Sequence, residues 1–131
     1  GRILVTGGYN ASAAMNNTYF GTISGNTITW VAGTALPATA YRHNIILLAD
    51  GRIVIYNGAG SASGNLPVWY GTISGNTISW VTASVLYPNN YSSFAAILLP
   101  TNDVLLTGGS NGSVPFATSY LGQKNRVLIK T

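Results

Sequence analysis

Twelve residues, 19–30 (YFGTISGNTITW), return almost unchanged at 69–80 (WYGTISGNTISW), fifty positions later. Gly1, Arg2 and Ile3 return at the same offset as Gly51, Arg52 and Ile53. A third, more diverged copy follows at an offset of 101: VLLTGG at 104–109 answers ILVTGG at 3–8, and Tyr120, Leu121 and Gly122 answer Tyr19, Phe20 and Gly21. One added residue explains the longer offset, because Leu36-Pro37 becomes Leu86-Tyr87-Pro88. A repeat of this length restricts the fold severely. Each unit has to be one supersecondary structure that buries its apolar surface against its neighbours.

Within each copy the pattern reads as short strands. Residues 44–48, and 95–99 in the next copy, form an apolar run suited to a strand covered on both faces. Asp50-Gly51 follows, a pair that favours a two-residue type I′ hairpin turn. A second strand covers 52–56, matched by 3–6 and 104–107. It ends at glycines (Gly7-Gly8, Gly58, Gly108-Gly109), where backbones can approach closely. After a loop of small and polar residues, a third strand covers 18–23 or 68–73. Gly25-Asn26 and Gly75-Asn76 place glycine first, as a type II′ turn requires. The fourth strand, 27–31 or 77–81, alternates Thr or Ser with Ile and Trp, the pattern of a half-exposed outer strand. The last copy ends on 126–131 in that role. No segment has a helical period, so the expected class is all-β.

Four antiparallel strands in about fifty residues, apolar inside and amphipathic outside, is the pattern of a β-propeller blade. Residues 47–55 (LLADGRIVI) and 1–8 (GRILVTGG) resemble kelch repeats, in which two apolar strands joined by a tight turn lead to a double glycine. The propeller of galactose-oxidase-like proteins has the same pattern. The resemblance spans most of the chain at the level of blade architecture. It departs at Asn57-Gly58, which replaces the glycine pair in the middle copy, and in a less regular Tyr and Trp further on. It implies a blade lacking its innermost strand at 1–40, a second blade at 41–90 and a third at 91–131. Propellers have four to eight blades, so about 2.75 blades belong either to a longer chain or to several copies forming a ring. The longer chain is the favoured expectation.

Composition narrows the chemistry. Only 6% of the residues are charged, with two Asp, one His, no Glu and no Cys. Thiol nucleophiles, thiolate metal sites and disulfides are excluded, and nothing calls for a cofactor or metal. The net charge of +4 comes from six scattered Lys and Arg, which makes no basic patch and argues against nucleic acid. No apolar stretch reaches the ~18 residues of a membrane span.

In a repeat scaffold, polar residues found in only one copy stand out. In propellers the loops after the second strand and the segments leading into the first lie on one face. That face would carry Tyr9, Asn10, 59–65 and 110–113, with the lead-ins Tyr41-Arg42-His43 and Tyr91-Ser92-Ser93. The candidate ligand-binding residues are Tyr41, Arg42, His43, Tyr9, Asn10, Tyr91 and Asn111; no catalytic or metal-binding set is assigned. An arginine can donate paired hydrogen bonds to an anionic group, and tyrosine offers a stacking face for a sugar. In the competing reading Arg42 and His43 cap strand ends and satisfy backbone carbonyls. The recurring aromatics Tyr19, Phe20, Trp30, Trp69, Tyr70, Trp80 and Tyr120 are expected to pack between blades. Asn10, Asn16, Asn90 and Asn111 begin N-glycosylation sequons, which a chain rich in Asn, Ser and Thr produces readily by chance. The expected function is non-enzymatic attachment to a surface glycan or protein, in a virion-fibre or cell-surface setting. The alternatives are a purely structural spacer, and a piece of a propeller oxidase or glycosidase whose catalytic residues lie elsewhere.

Overall fold

The computed structural model describes residues 1–58, 67–84, 92–111, 113–123 and 126–130. Among them the chain is all-β, in three antiparallel sheets. The first sheet holds β1 (Arg2–Thr6), β2 (Thr18–Ser24) and β3 (Thr27–Ala32). The second holds β4 (Asn44–Leu47), β5 (Ile53–Tyr56), β6 (Val68–Ser74) and β7 (Thr77–Thr82). The third holds β8 (Ala95–Leu98), β9 (Val104–Thr107), β10 (Ser119–Gln123) and β11 (Arg126–Lys130). Sequential strands are always neighbours, so each sheet is a meander. Every strand boundary expected from the sequence lies within one residue of the observed one. The expected boundary between the second and third units, at 90/91, lies outside the described residues.

The Asp50-Gly51 turn differs from the expectation. Type I′ needs positive φ at both central residues, yet of the two only Gly51 is left-handed, at φ +83°. Gly51 N–H donates to the Leu48 carbonyl (3.0 Å) and Leu48 N–H to the Arg52 carbonyl (2.8 Å). The loop is therefore three residues long, a type I turn followed by a left-handed position. The Asp50 carboxylate accepts the Arg52 backbone N–H at 3.1 Å, an Asx-type bond that holds this geometry. The third unit builds the same loop with Asn102 in the left-handed place (φ +66°), its N–H donating to the Leu99 carbonyl at 2.8 Å. The Gly25-Asn26 and Gly75-Asn76 turns agree with type II′: the glycines have φ of +57° and +58°, and the asparagines keep negative φ.

Side chains alternate across each strand, giving each sheet two faces. The outer apolar clusters show how they stack. Ile53, Ile55, Trp69 and Ile78 of the second sheet pack toward Leu4 and Phe20 of the first and the connection residues Leu36 and Ala40. The opposite face of the second sheet, with Val54, Tyr56, Val68 and Leu48, packs on Phe94, Val104, Leu106 and Tyr120. By register, Val104 and Leu106 occupy in the third sheet the places of Ile53 and Ile55 in the second. Both seams thus join the same two kinds of face in the same sense.

The recurring glycine and tryptophan have a packing reason. Gly21 pairs across the ladder with Trp30, and Gly71 with Trp80. A Cβ on either glycine would lie 2.7 Å from the Cζ3 of its tryptophan. The indole therefore lies flat over a strand that has no side chain there, a glycine covered by a cross-strand aromatic. Of the recurring aromatics, Phe20, Trp69 and Tyr120 are buried at the seams and Tyr70 and Trp80 are half-buried against them. Tyr19 and Trp30 differ: they are 41% and 46% exposed, whereas Trp69, the counterpart of Tyr19, is 2% exposed. They lie on the face of the first sheet that no other described sheet covers.

Candidate functional site

The site is built by a close backbone approach. After β1 the chain passes through Gly7 and Gly8, both left-handed (φ +55° and +106°). A Cβ on Gly7 would run into the Ala40 carbonyl oxygen, so only glycine lets the two segments meet there. Gly8 N–H donates to that same carbonyl at 2.8 Å. This bond fixes the loop of the first unit against the lead-in to β4. It sets the Tyr9 ring beside the Tyr41 ring, with centroids 5.1 Å apart and planes inclined by 53°. The Arg42 guanidinium carbon lies 5.7 Å from the Tyr41 ring centroid, within the range of a cation–π contact.

Gly8, Tyr9, Tyr41 and Arg42 line a depression of about 490 Å³. Tyr9 is 60% exposed, Arg42 is exposed and Tyr41 is half-buried. The site thus offers two inclined aromatic faces and a fork of five guanidinium donors at its edge. Such a surface can stack on the apolar face of a sugar ring while pairing an anionic or hydroxyl-rich substituent. Arg42 itself is left-handed, at φ +55°, an uncommon state for a residue with a β-carbon. Its carbonyl lies close to Gly58, where a Cβ would collide with it.

The structure brings together Tyr9, Tyr41 and Arg42, and it gives the other candidates different settings. Asn10 stands next to Tyr9, but its side-chain Oδ1 accepts the N–H groups of Ser12 (3.0 Å) and Ala13 (2.8 Å) and shapes its own loop. Asn111 does the same in the third unit, accepting from Ser113 (3.0 Å) and Val114 (2.8 Å). His43 turns inward. Its Nε2 is 2.9 Å from Thr6 Oγ1 on β1, which ties the second unit to the first. Burial pushes the imidazole pKa down, partly opposed by its hydrogen bonding at Thr6. Tyr91 and residues 59–65 lie outside the described residues.

Comparison of the copies sharpens this picture. Arg42 and Ser93 share the same left-handed backbone (φ +55° and +57°), each two residues before the first strand of its sheet, β4 or β8. The equivalent of Tyr41-Arg42-His43 is therefore Ser92-Ser93-Phe94, one residue on from the match suggested by the shared tyrosine of Tyr91-Ser92-Ser93. Phe94 is buried between the second and third sheets, so His43 holds a packing position. Tyr41 and Arg42 are replaced by serines. Among the described residues, the aromatic and cationic pair belongs to the seam between the first and second sheets. The Tyr9 contact was not visible in the sequence, although the glycine pair preceding it signalled a close approach.

Elsewhere the charges are engaged or scattered. Asp50 pairs with Arg52 at 2.9 Å, and Arg2 donates to the Gly75 carbonyl (2.6 Å) and Asn76 Oδ1 (2.7 Å) while lying 4.4 Å over the Phe20 ring. Among the described residues no three His, Asp, Glu or Cys side chains converge as a metal site would need. No helix among them is long and apolar enough to cross a membrane. The chain matches no protein-family model and no curated protein sequence.

Proposed function

We propose that the three sheets are successive blades of a kelch-like β-propeller, and that the chain is a non-enzymatic attachment module binding a glycan through the Tyr9, Tyr41 and Arg42 cluster. The observation that carries this reading is the 5.1 Å approach of Tyr9 and Tyr41 from two different units, with Arg42 beside them and serines at the equivalent places of the third copy. A packing role would be repeated; this cluster is not. The meander order of the sheets and their stacking in one sense support the blade reading. The charge-poor surface, rich in Asn, Ser, Thr, Gly and Tyr, supports an extracellular, cell-surface or virion setting.

The test is binding of neutral and sialylated oligosaccharides to the chain, followed by saturation-transfer NMR. Saturable binding is expected, weakened about tenfold or more by Arg42→Ala and by Tyr9→Ala, with unchanged thermal melting. Binding that survives all of these substitutions removes the site from consideration. One observation favours a second reading, an assembly or spacer element: the uncovered face of the first sheet presents Val5, Tyr19 and Trp30 around an apolar hollow of about 290 Å³. In that case substitutions at Val5 would alter assembly, and substitutions at Arg42 would change nothing.

A further inference from the structure

Charge is distributed unevenly between the two ends of the sheets. Asn102 Oδ1 accepts the Ala49 N–H at 3.0 Å, so the β4–β5 and β8–β9 turns lie side by side at one end. Ser93 N–H donates to the Arg42 carbonyl at 3.4 Å, so the lead-ins to β4 and β8 lie side by side at the other. The chain has two acidic residues, Asp50 and Asp103, and both belong to the turns. Asp50 is engaged by Arg52, and Asp103 accepts a hydrogen bond from Thr101 Oγ1 at 2.9 Å. The four residues of β4 stand between Arg42 and the Asp50 turn. They span about 13 Å, farther than the ~8 Å over which exposed charges act at physiological salt. The end that carries Arg42 therefore has no acidic side chain. Among the described residues the Arg42 guanidinium lies by the Tyr41 ring and has no ion pair or hydrogen bond.

Building on the glycan reading of this site, we infer that the Tyr9, Tyr41 and Arg42 depression selects a sugar that carries a carboxylate. The guanidinium pairs the carboxylate while a tyrosine face takes the sugar ring. A carboxylate is planar and carries one negative charge, and the arginine fork matches it with two parallel N–H···O bonds. A phosphate ester carries nearly two charges and three acceptor oxygens. Of the residues lining the depression, Gly8, Tyr9, Tyr41 and Arg42, one is a cation, and the Gly8 N–H is already given to the Ala40 carbonyl. A neutral sugar meets Arg42 through hydroxyl groups alone, in bonds about half as strong as those to a carboxylate. With both aspartates at the far end of the sheets, nothing acidic there repels the ligand or competes for the arginine.

Two pairs of probes, titrated into the isotope-labelled 131-residue protein, test this: sialyllactose against lactose, and trigalacturonate against its methyl ester. In at least one pair the acidic member is expected to bind about tenfold or more tightly than its neutral counterpart, shifting the signals of Gly8, Tyr9, Tyr41 and the Arg42 Nε. The pair that shows the preference tells a sialic acid from a uronic acid. Raising the salt concentration is expected to shrink the preference. Arg42→Gln is expected to bring the acidic probe down to the affinity of the neutral one. Arg42→Lys, which keeps the charge without the fork, is expected to stay several-fold weaker than the unaltered protein. Equal binding of acidic and neutral members in both pairs overturns the inference and leaves a neutral-sugar site. An acidic preference that survives Arg42→Gln also overturns it, because the carboxylate is then held elsewhere. No saturable shift with any of the four probes up to about 10 mM overturns the glycan reading and this inference with it.

Discussion

Arg42 occupies a backbone conformation that costs a residue with a β-carbon about 1 kcal/mol or more. Ser93 accepts the same conformation without an aromatic partner, so the strain comes from the lead-in path and not from the ring contact. Replacing Arg42 with glycine is therefore expected to raise stability slightly, by about 0.5 kcal/mol in urea unfolding, while removing oligosaccharide binding. A loss of stability would show that the guanidinium holds the lead-in together. His43 gives a second residue-level prediction. Its pKa is lowered in the folded state, so below the unfolded value of about 6.5 the unfolded chain binds more protons, and stability falls with decreasing pH. Above that value the contribution is level. As the one histidine in the chain, it can be followed directly by its NMR resonance, which should titrate below 6.5. His43→Phe, which copies Phe94 of the third unit, is expected to flatten the melting temperature between about pH 7.5 and pH 5.

The strands were legible because their signals are local. Two-residue alternation and glycine at the turns set each boundary from the residues inside it. The turn after the inner strand was not, since Asp-Gly suits both a two-residue and a three-residue loop, and the Asp50–Arg52 bond that decides between them depends on where the strands leave the ladder. The same turn carries a comparison between copies. Asn102 is left-handed like Gly51, but its Oδ1 also accepts the Ala49 N–H at 3.0 Å and so joins two successive turns. Gly51→Asn is expected to change stability by less than about 1 kcal/mol, because asparagine tolerates this conformation. Asn102→Gly is expected to cost about 1 kcal/mol despite easing the backbone, because the bond between turns is lost. Chemical denaturation of the two variants checks both. Of the site, Tyr41 and Arg42 were legible as residues peculiar to one copy. They were expected on one face with Tyr9, but the direct ring contact was not legible, because it arises from a backbone contact between Gly7 and Ala40 more than thirty residues apart. The true counterpart of Arg42 was obscured by Tyr91, which imitates Tyr41 one position out of step.

At the scale of the molecule, one rule accounts for core, site and free edge together: like units stack in one sense, each apolar face meeting the opposite face of its neighbour. The site falls at a seam because the loop of one unit there meets the lead-in of the next. The edge of β1 away from β2 stays open because, among the described residues, no strand pairs there. Gly58 tests the tightness of this arrangement. A Cβ there would run into the Arg42 and Tyr41 carbonyls, and Gly58→Ala is expected to destabilise by about 2–4 kcal/mol, since backbone would have to move on both sides. The most direct measurement of the whole account is residue-by-residue amide hydrogen exchange on the protein alone. Strand order and burial predict that β5, paired on both sides and buried along its whole length, exchanges slowest, and that β1 alternates: amides bonded to β2 are slow, while those on its open edge exchange quickly. Uniform protection along β1, or fast exchange through β5, would contradict it.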